Sequence, residues 1–270
     1  MLKKTDLWSE KDKRQAHLDS RIEKTQSAFF GFEKIAADEK VHKVRRHFDR
    51  VARRYDLMNT LLSFGIHYQW KRLSLRILNL KPGDRVLDVC GGTGDLSLLA
   101  ARYVQKTGLV VDYDINREMM LVGKDKINGT AYRDSIRFVQ GDAEAVSFPD
   151  NSFDAALVGF GIRNVTRMEQ GFEEMHRVLK PGGQLMCLEF SKPENSLFRR
   201  LYDIYSFYFM PLLGRLVVGT GQPYACLTET IRMFPLPEEL AAILKRIGFT
   251  NVSYRSLTNG IAVIHHGTKA

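Results

Sequence analysis

The sequence predicts an α/β protein built on a seven-stranded, mostly parallel sheet with helices on both faces. Five short apolar runs, "RVLDVC", "GLVVDYD", "SIRFVQGD", "FDAALVGF" and "GQLMCLEF", alternate with helical stretches between residues 85 and 190. Such alternation gives parallel strands joined by covering helices. The turns "KPGD" (Lys81 to Asp84) and "KPGG" (Lys180 to Gly183) feed the first and fifth runs. The tail reads "NVSYRSL", "TNG", "IAVIHHG", and Asn259–Gly260 between two apolar runs signals a hairpin. The last two strands are therefore expected to be antiparallel neighbours.

The elements follow in order. Residues 1–37 are charged and weakly periodic, which predicts a mobile or loosely docked extension ahead of one domain over 38–270. From Asp38 to Leu80 the pattern is helical, with Val41, Val44, Phe48, Val51 and Tyr55 at three- and four-residue steps. Helices are expected over Asp95 to Val104, Arg117 to Ile127 and Met168 to Leu179. Residues 196–233 interrupt the alternation with an aromatic-rich helical insert. "PEELAAILKRIGF" is a helix closed by Gly248.

Composition narrows the function classes. The chain has 270 residues, 26% of them charged, and a net charge of +9. A basic balance leaves phosphorylated partners, nucleic acid or an anionic membrane surface open. Cys90, Cys187 and Cys226 are widely spaced and form neither a zinc pattern nor a disulfide framework. No apolar run approaches the roughly 20 residues that span a bilayer. The N-terminal stretch lacks the apolar centre of a signal peptide. The expectation is a cytoplasmic protein, with metal assistance unneeded.

The segment "RVLDVCGGTGDLSLLA" (Arg85 to Ala100) resembles the start of a nucleotide-binding unit. Two features oppose a phosphate ligand. Ser97 stands where a dinucleotide fingerprint has its third glycine, and Asp88 and Asp95 place negative charge on either side of the loop. A ligand with a cationic head fits better. S-adenosylmethionine (SAM) carries a sulfonium and an ammonium but no phosphate. Asp88 can attract that ammonium, while Gly92 and Gly94 let the backbone approach the ligand. Asp114, twenty residues after Gly94, ends the second run and can accept ribose hydroxyl protons. Asp112 is an alternative within the strand. Asp142 ends the third run, where it can accept from an adenine amino group.

"YDLMNTLLSFGIHYQW" (Tyr55 to Trp70) and "RVLKPGGQLMCLEFS" (Arg177 to Ser191) resemble the two signature segments of the ubiquinone/menaquinone biosynthesis C-methyltransferases. "DVCGGTGDLS", "GDAEAVSFPDNSFD" and "GFGIRNV" are similar to further motifs of that family, and the likeness runs from about Phe29 to the C-terminus. It implies a Rossmann-like class I methyltransferase fold, SAM as methyl donor and a ring carbon of a polyprenylated hydroquinone as acceptor. It also implies cofactor contacts from Thr93, Asp114, and Asp142 with Ala143. Gly159 departs from the serine usual before "FG-x-RN", so a side-chain contact from that position is not carried over.

An ortho ring carbon becomes nucleophilic when its neighbouring phenol ionises, and free phenols ionise near about pH 10. The site must therefore favour the phenolate or hold a base. Arg163 and Asn164 end the fourth run: Arg163 is a fixed cation, or the partner of a neighbouring acid, and Asn164 can orient a hydroxyl. His67 has a side chain suited to proton transfer, or is structural. Tyr55 and Trp70 are candidates for a lid. In the insert, Tyr202, Tyr205, Phe209 and Leu212 recur at helical steps, which suits either core packing or an aromatic wall for the quinol. Arg199, Arg200 and Arg215 flank it and could rest on anionic lipid. The expected partners are the quinol and, transiently, the inner face of the cell membrane, with a homodimer left open. Alternatives are a methyltransferase acting on a sterol or phospholipid, an NAD-binding oxidoreductase, and a nucleic-acid-binding module. No basic-aromatic motif supports the last, so no nucleic acid is expected.

Overall fold

The structure, a computed structural model, describes Trp8 and residues 18–270. Helix α1 (Asp19–Thr25) leads into an antiparallel hairpin of β1 (Ser27–Phe30) and β2 (Glu33–Ala36). This part of the expected loose extension is instead docked. Ile22 and Ala28 are buried in a small cluster with Ala37. The remaining extension, Met1 to His17 apart from Trp8, lies outside the described residues. Three helices follow: α2 (Ala37–Val51), α3 (Tyr55–Ser63) and α4 (Ile66–Ile77).

The main domain then alternates as the apolar runs predict: β3 (Arg85–Val89), α5 (Asp95–Val104), β4 (Leu109–Asp114), α6 (Arg117–Asn128), β5 (Ile136–Gln140), β6 (Phe153–Gly159), α7 (Met168–Val178) and β7 (Leu179–Phe190). Asp19 completes the start of α7, accepting the Gln170 N–H at 2.7 Å and so satisfying a donor that a helix N-terminus leaves free. The insert forms α8 (Ser196–Ile204), a π-helical turn over Tyr205–Phe209, α9 (Met210–Val218) and α10 (Gln222–Met233). Helix α11 (Pro237–Ile247) and the antiparallel pair β8 (Phe249–Leu257) and β9 (Ala262–Lys269) complete the chain.

The sheet has seven strands in the order β5-β4-β3-β6-β7-β9-β8. Side chains alternate between its two faces. Leu87, Val89, Val111 and Val158 pack with Phe172 and Met175 of α7 and Leu240 and Leu244 of α11. Val86, Val110 and Leu157 pack on the other side with Leu96, Ala100 and Val104 of α5 and Leu75 of α4. Burial on both faces explains why the runs are nearly continuously apolar. From β3 the chain steps outward through β4 to β5, then crosses back to place β6 on the other side of β3. That reversal opens a crevice at the strands' carboxyl ends, where open α/β sheets bind ligands. Among the described residues no helix is long and apolar enough to cross a membrane.

Candidate active site

A cleft at the carboxyl ends of β3 to β6 is lined by Asp88, Gly92, Thr93, Asp114, Asp142 and Ala143, among others. The turn after β3 needs left-handed backbone, with φ of 61° at Gly92 and 74° at Gly94, the residue that caps α5. Asp114 Oδ2 accepts the Gly92 N–H at 2.9 Å and Oδ1 accepts the Asn116 N–H at 2.7 Å. The carboxylate thus ties the glycine loop to the start of α6. Burial nevertheless raises its pKa to about 6, against those two hydrogen bonds. Asp88 is buried, and Ser97 Oγ donates to its Oδ2 at 2.7 Å. Its Oδ1 is buried without a partner, and burial pushes its pKa up to about 7. Asp142 accepts the Glu144 N–H at 2.9 Å. Of the cofactor residues expected from sequence, all but Gly94 line this one cleft, and Gly94 instead caps α5. An unpartnered carboxylate oxygen beside a glycine loop fits a ligand bearing a cation.

Asp95 is answered by two cations. Lys71 Nζ donates to its Oδ2 at 2.7 Å and Lys126 Nζ to its Oδ1 at 2.6 Å. Desolvation would raise its pKa, but the two lysines together hold it well below the carboxylate range. Lys126 also reaches Asp56 at 2.8 Å, and Asp56 accepts from Thr93 Oγ1 at 2.6 Å. This chain of charges clamps α3 and α4 onto the glycine loop. Sequence reasoning missed Asp56 and Lys126 in this role, because the two stand 70 positions apart and no local pattern joins them.

Beyond the cleft lies a larger, mainly apolar cavity walled by α2, α3, α4, α8 and α10. The two spaces share Val44, Phe48, Tyr55, Lys71, Phe160 and Asn164. Including their open mouths they measure about 1010 and 2160 Å³. Asn164 stands at the junction with its Nδ2 buried and unpartnered. Tyr202 and Tyr205 line the cavity, and Tyr205 Oη donates to the Leu62 carbonyl at 2.6 Å. Phe209 does not line it. The π turn carries that ring behind Tyr205, stacked at 5.3 Å, and leaves it 45% exposed. Tyr55 borders both spaces, but Trp70 is a cavity wall whose Nε1 donates to Thr258 Oγ1 at 2.9 Å.

Arg163 and His67 each have two readings open from sequence. Arg163 lines the cavity but is not a free cation. Its Nη1 donates to Glu189 Oε1 at 2.8 Å and also to the Phe160 carbonyl, with both charged side chains nearly buried. His67 lines the cavity with Nδ1 unpartnered. Burial, reinforced by Lys71, lowers its pKa to about 4, so the ring is neutral near pH 7 rather than poised to titrate there. A second imidazole on the wall, His47, was missed from sequence, and burial also lowers it to about 4. Among the described residues no group of three or more His, Cys, Asp or Glu is placed to hold a metal ion.

The sheet order and the acid-rimmed glycine cleft are those of the Rossmann-like class I methyltransferase fold. Solved structures share the fold: a SAM-dependent methyltransferase from Aquifex aeolicus has a TM-score of 0.55 at 20% identity, covering 74% of this chain and 89% of that one. The [4+2]-cyclase SpnF has a TM-score of 0.62 at 18% identity, covering 84% and 95%. The name cyclase is a reminder that this fold alone does not choose a reaction. The ubiE/COQ5 methyltransferase family model matches residues 34–269. The ubiquinone/menaquinone biosynthesis C-methyltransferase UbiE of Azotobacter vinelandii is 46% identical over 247 residues, 91% of this chain and 98% of its own length. This chain belongs to the ubiE/COQ5 methyltransferase family.

Proposed function

We propose that this chain methylates a ring carbon of a polyprenylated hydroquinone, with demethylmenaquinol and 2-methoxy-6-polyprenyl-1,4-benzoquinol as its two candidate acceptors. The carrying observation is the junction: an acid-rimmed cleft adjoins a larger, more apolar cavity across Tyr55, Phe160 and Asn164. Bound SAM supplies a methyl group activated by a sulfonium. Asp88 attracts the ammonium end, Asp114 accepts from the ribose, and Asp142 with Ala143 holds the adenine edge. Asn164 Nδ2 donates to the acceptor oxygen as phenolate character develops, a contact worth most in a site that excludes water. Arg163 adds positive potential tempered by Glu189, and His67 orients the ring as a neutral hydrogen-bonding partner. Tyr202 and Tyr205 exclude water and align the aromatic plane.

The mouth of the cavity supports contact with a bilayer edge. Phe64 and Leu201 line the cavity yet are 83% and 57% exposed. Ile204, Tyr208 and Leu216 continue the exposed apolar face on the insert, with Arg200 and Arg215 exposed beside them. An isoprenoid tail could then pass between membrane and cavity without crossing water.

The test is an anaerobic assay of the purified protein with SAM and short-tailed reduced quinols, read by product mass, beside sterol and phospholipid acceptors. Ring methylation of the quinol is expected. Methyl transfer to a sterol or phospholipid but not to any quinol overturns the acceptor. Flotation with anionic liposomes tests the membrane face: Phe64→Ser should reduce recovery, and salt should release the electrostatic part.

A further inference from the structure

Behind the glycine loop lies a buried pair of acids, Asp88 and Asp112, of which the proposed function uses only Asp88. Strands β3 and β4 pair in a register that sets Asp88 opposite Asp112. Both occupy the α5 face, two residues on from Val86 and Val110, where the packing is otherwise apolar. Asp88 is 1% exposed and Asp112 0%. Ser97 Oγ lies 2.7 Å from Asp88 Oδ2 and 3.0 Å from Asp112 Oδ2. The Oδ1 atoms of both acids are buried without partners.

A serine hydroxyl has one proton and cannot donate to two carboxylates at once. Were both acids ionised, two like charges would share a dry space with one donor between them, which is strongly unfavourable. We propose that Asp112 is a neutral carboxylic acid that donates its proton to Ser97 Oγ, so that Ser97 donates to Asp88 and fixes it as the single anion at the ammonium end of the SAM cleft. The proposal rests on the assignment of Asp88 to the SAM ammonium. The direction of the relay follows from three asymmetries. Asp88 lines the cleft and Asp112 does not. The contact to Asp88 is the shorter, as expected for a charge-assisted hydrogen bond. On Asp88, Lys71 of α4 outweighs the carboxylate of Asp114, whereas on Asp112 the opposing carboxylates Asp88 and Asp114 outweigh Lys126 of α6. Burial raises the pKa of both acids, and Asp112 goes well above the carboxylate range. Both lysines are also committed to Asp95 of α5.

Asp112 is thus a positioning residue. It also props the loop, since a Cβ at Gly91 would come within 2.5 Å of its carboxyl group. The experiment is calorimetric SAM titration of four proteins. Asp88→Asn and Asp112→Ala should each weaken binding about tenfold, roughly 1.4 kcal/mol, through loss of a charged hydrogen bond or of its support. Asp112→Asn keeps a donor for Ser97 and should restore affinity to within about threefold of wild type. Infrared difference spectra at mildly alkaline pH should show a protonated-acid carbonyl band in wild type that Asp112→Asn loses. The proposal is overturned if Asp112→Asn binds as weakly as Asp112→Ala, if Asp88→Asn is the tolerated variant of the pair, or if wild type lacks the band. Should Asp88→Asn and Asp112→Ala both bind SAM like wild type while the band behaves as expected, the ammonium assignment fails and the protonation of Asp112 stands.

Discussion

The glycine-loop cleft and the apolar cavity share six lining residues but differ in how far their polar groups are partnered. In the cleft, charge is abundant and mostly answered: Asp114 by two backbone N–H groups and Asp95 by two lysines, with Asp88 Oδ1 left unpartnered. In the cavity, polar atoms are few, and several have no partner, including His67 Nδ1, Asn164 Nδ2 and Arg163 Nε. A buried polar atom without a partner is costly. Three such atoms on the cavity wall fit a space that a ligand completes, whereas most of the cleft's charges are already paired within the protein.

The largest expected effect would break this contrast at Arg163. Removing it leaves Glu189 buried and unpaired, so Arg163→Ala should lose about 3–5 kcal/mol of stability as well as turnover. Thermal unfolding of Arg163→Ala and of the double variant Arg163→Met/Glu189→Leu checks it. Recovery of stability without recovery of kcat would separate the ion pair from a role in the chemistry. An Arg163→Ala protein of wild-type stability would show that Glu189 needs no partner.

Asp114→Ala comes next. It should weaken SAM binding by about 1.5–3 kcal/mol, the scale of a charged hydrogen bond, while leaving the acceptor KM nearly unchanged. Calorimetry and initial rates measure the two separately, and equal damage to both would deny that cleft and cavity are distinct. A smaller loss is expected on the cavity side. Tyr205→Phe removes the hydrogen bond to the Leu62 carbonyl and should cost about 0.5–1.5 kcal/mol, read as a raised acceptor KM with SAM affinity intact.

The smallest effect concerns pH. Burial holds His67 at about 4, below its ordinary 6.5. Because the folded value is depressed, the stability associated with the neutral ring is complete above 6.5 and is lost as pH falls toward 4. The ring does not change charge through neutrality. His67→Gln should therefore leave the shape of the pH–rate profile unaltered between about pH 6.5 and 8. Loss of an acidic limb in that range would make His67 the titrating base and sharpen the cavity into a proton-transfer site.

Much of the fold and half of the site could be read from the chain itself. Each strand and turn of the seven-stranded sheet is a local pattern, though the β1–β2 hairpin was not read, and Asp88, Asp114 and Asp142 stand at or near strand ends, so locating the strands locates the acids. Glycines 92 and 94 announce themselves because only a residue without a Cβ adopts their backbone freely. The cavity was less legible. Helical spacing put Phe209 beside Tyr202 and Tyr205, but the π turn changes the periodicity and rotates that ring off the wall. A five-residue rotation cannot be inferred from a stripe of aromatics that fits a regular helix.

What the sequence by itself determined is the alternation of strands and helices, the glycine turn and the acids at its rim. All depend on neighbours within a few positions. Only the tertiary structure decided who answers each charge. Glu189 meets Arg163 because β6 lies beside β7, and Lys126 meets Asp56 because α3 folds back over the glycine loop. Asp112 faces Asp88 because β4 pairs with β3 in one particular register. A carboxylate and its partner interact across space through whatever dielectric the packed chain leaves between them, and that is fixed by strand order and burial rather than by distance along the sequence.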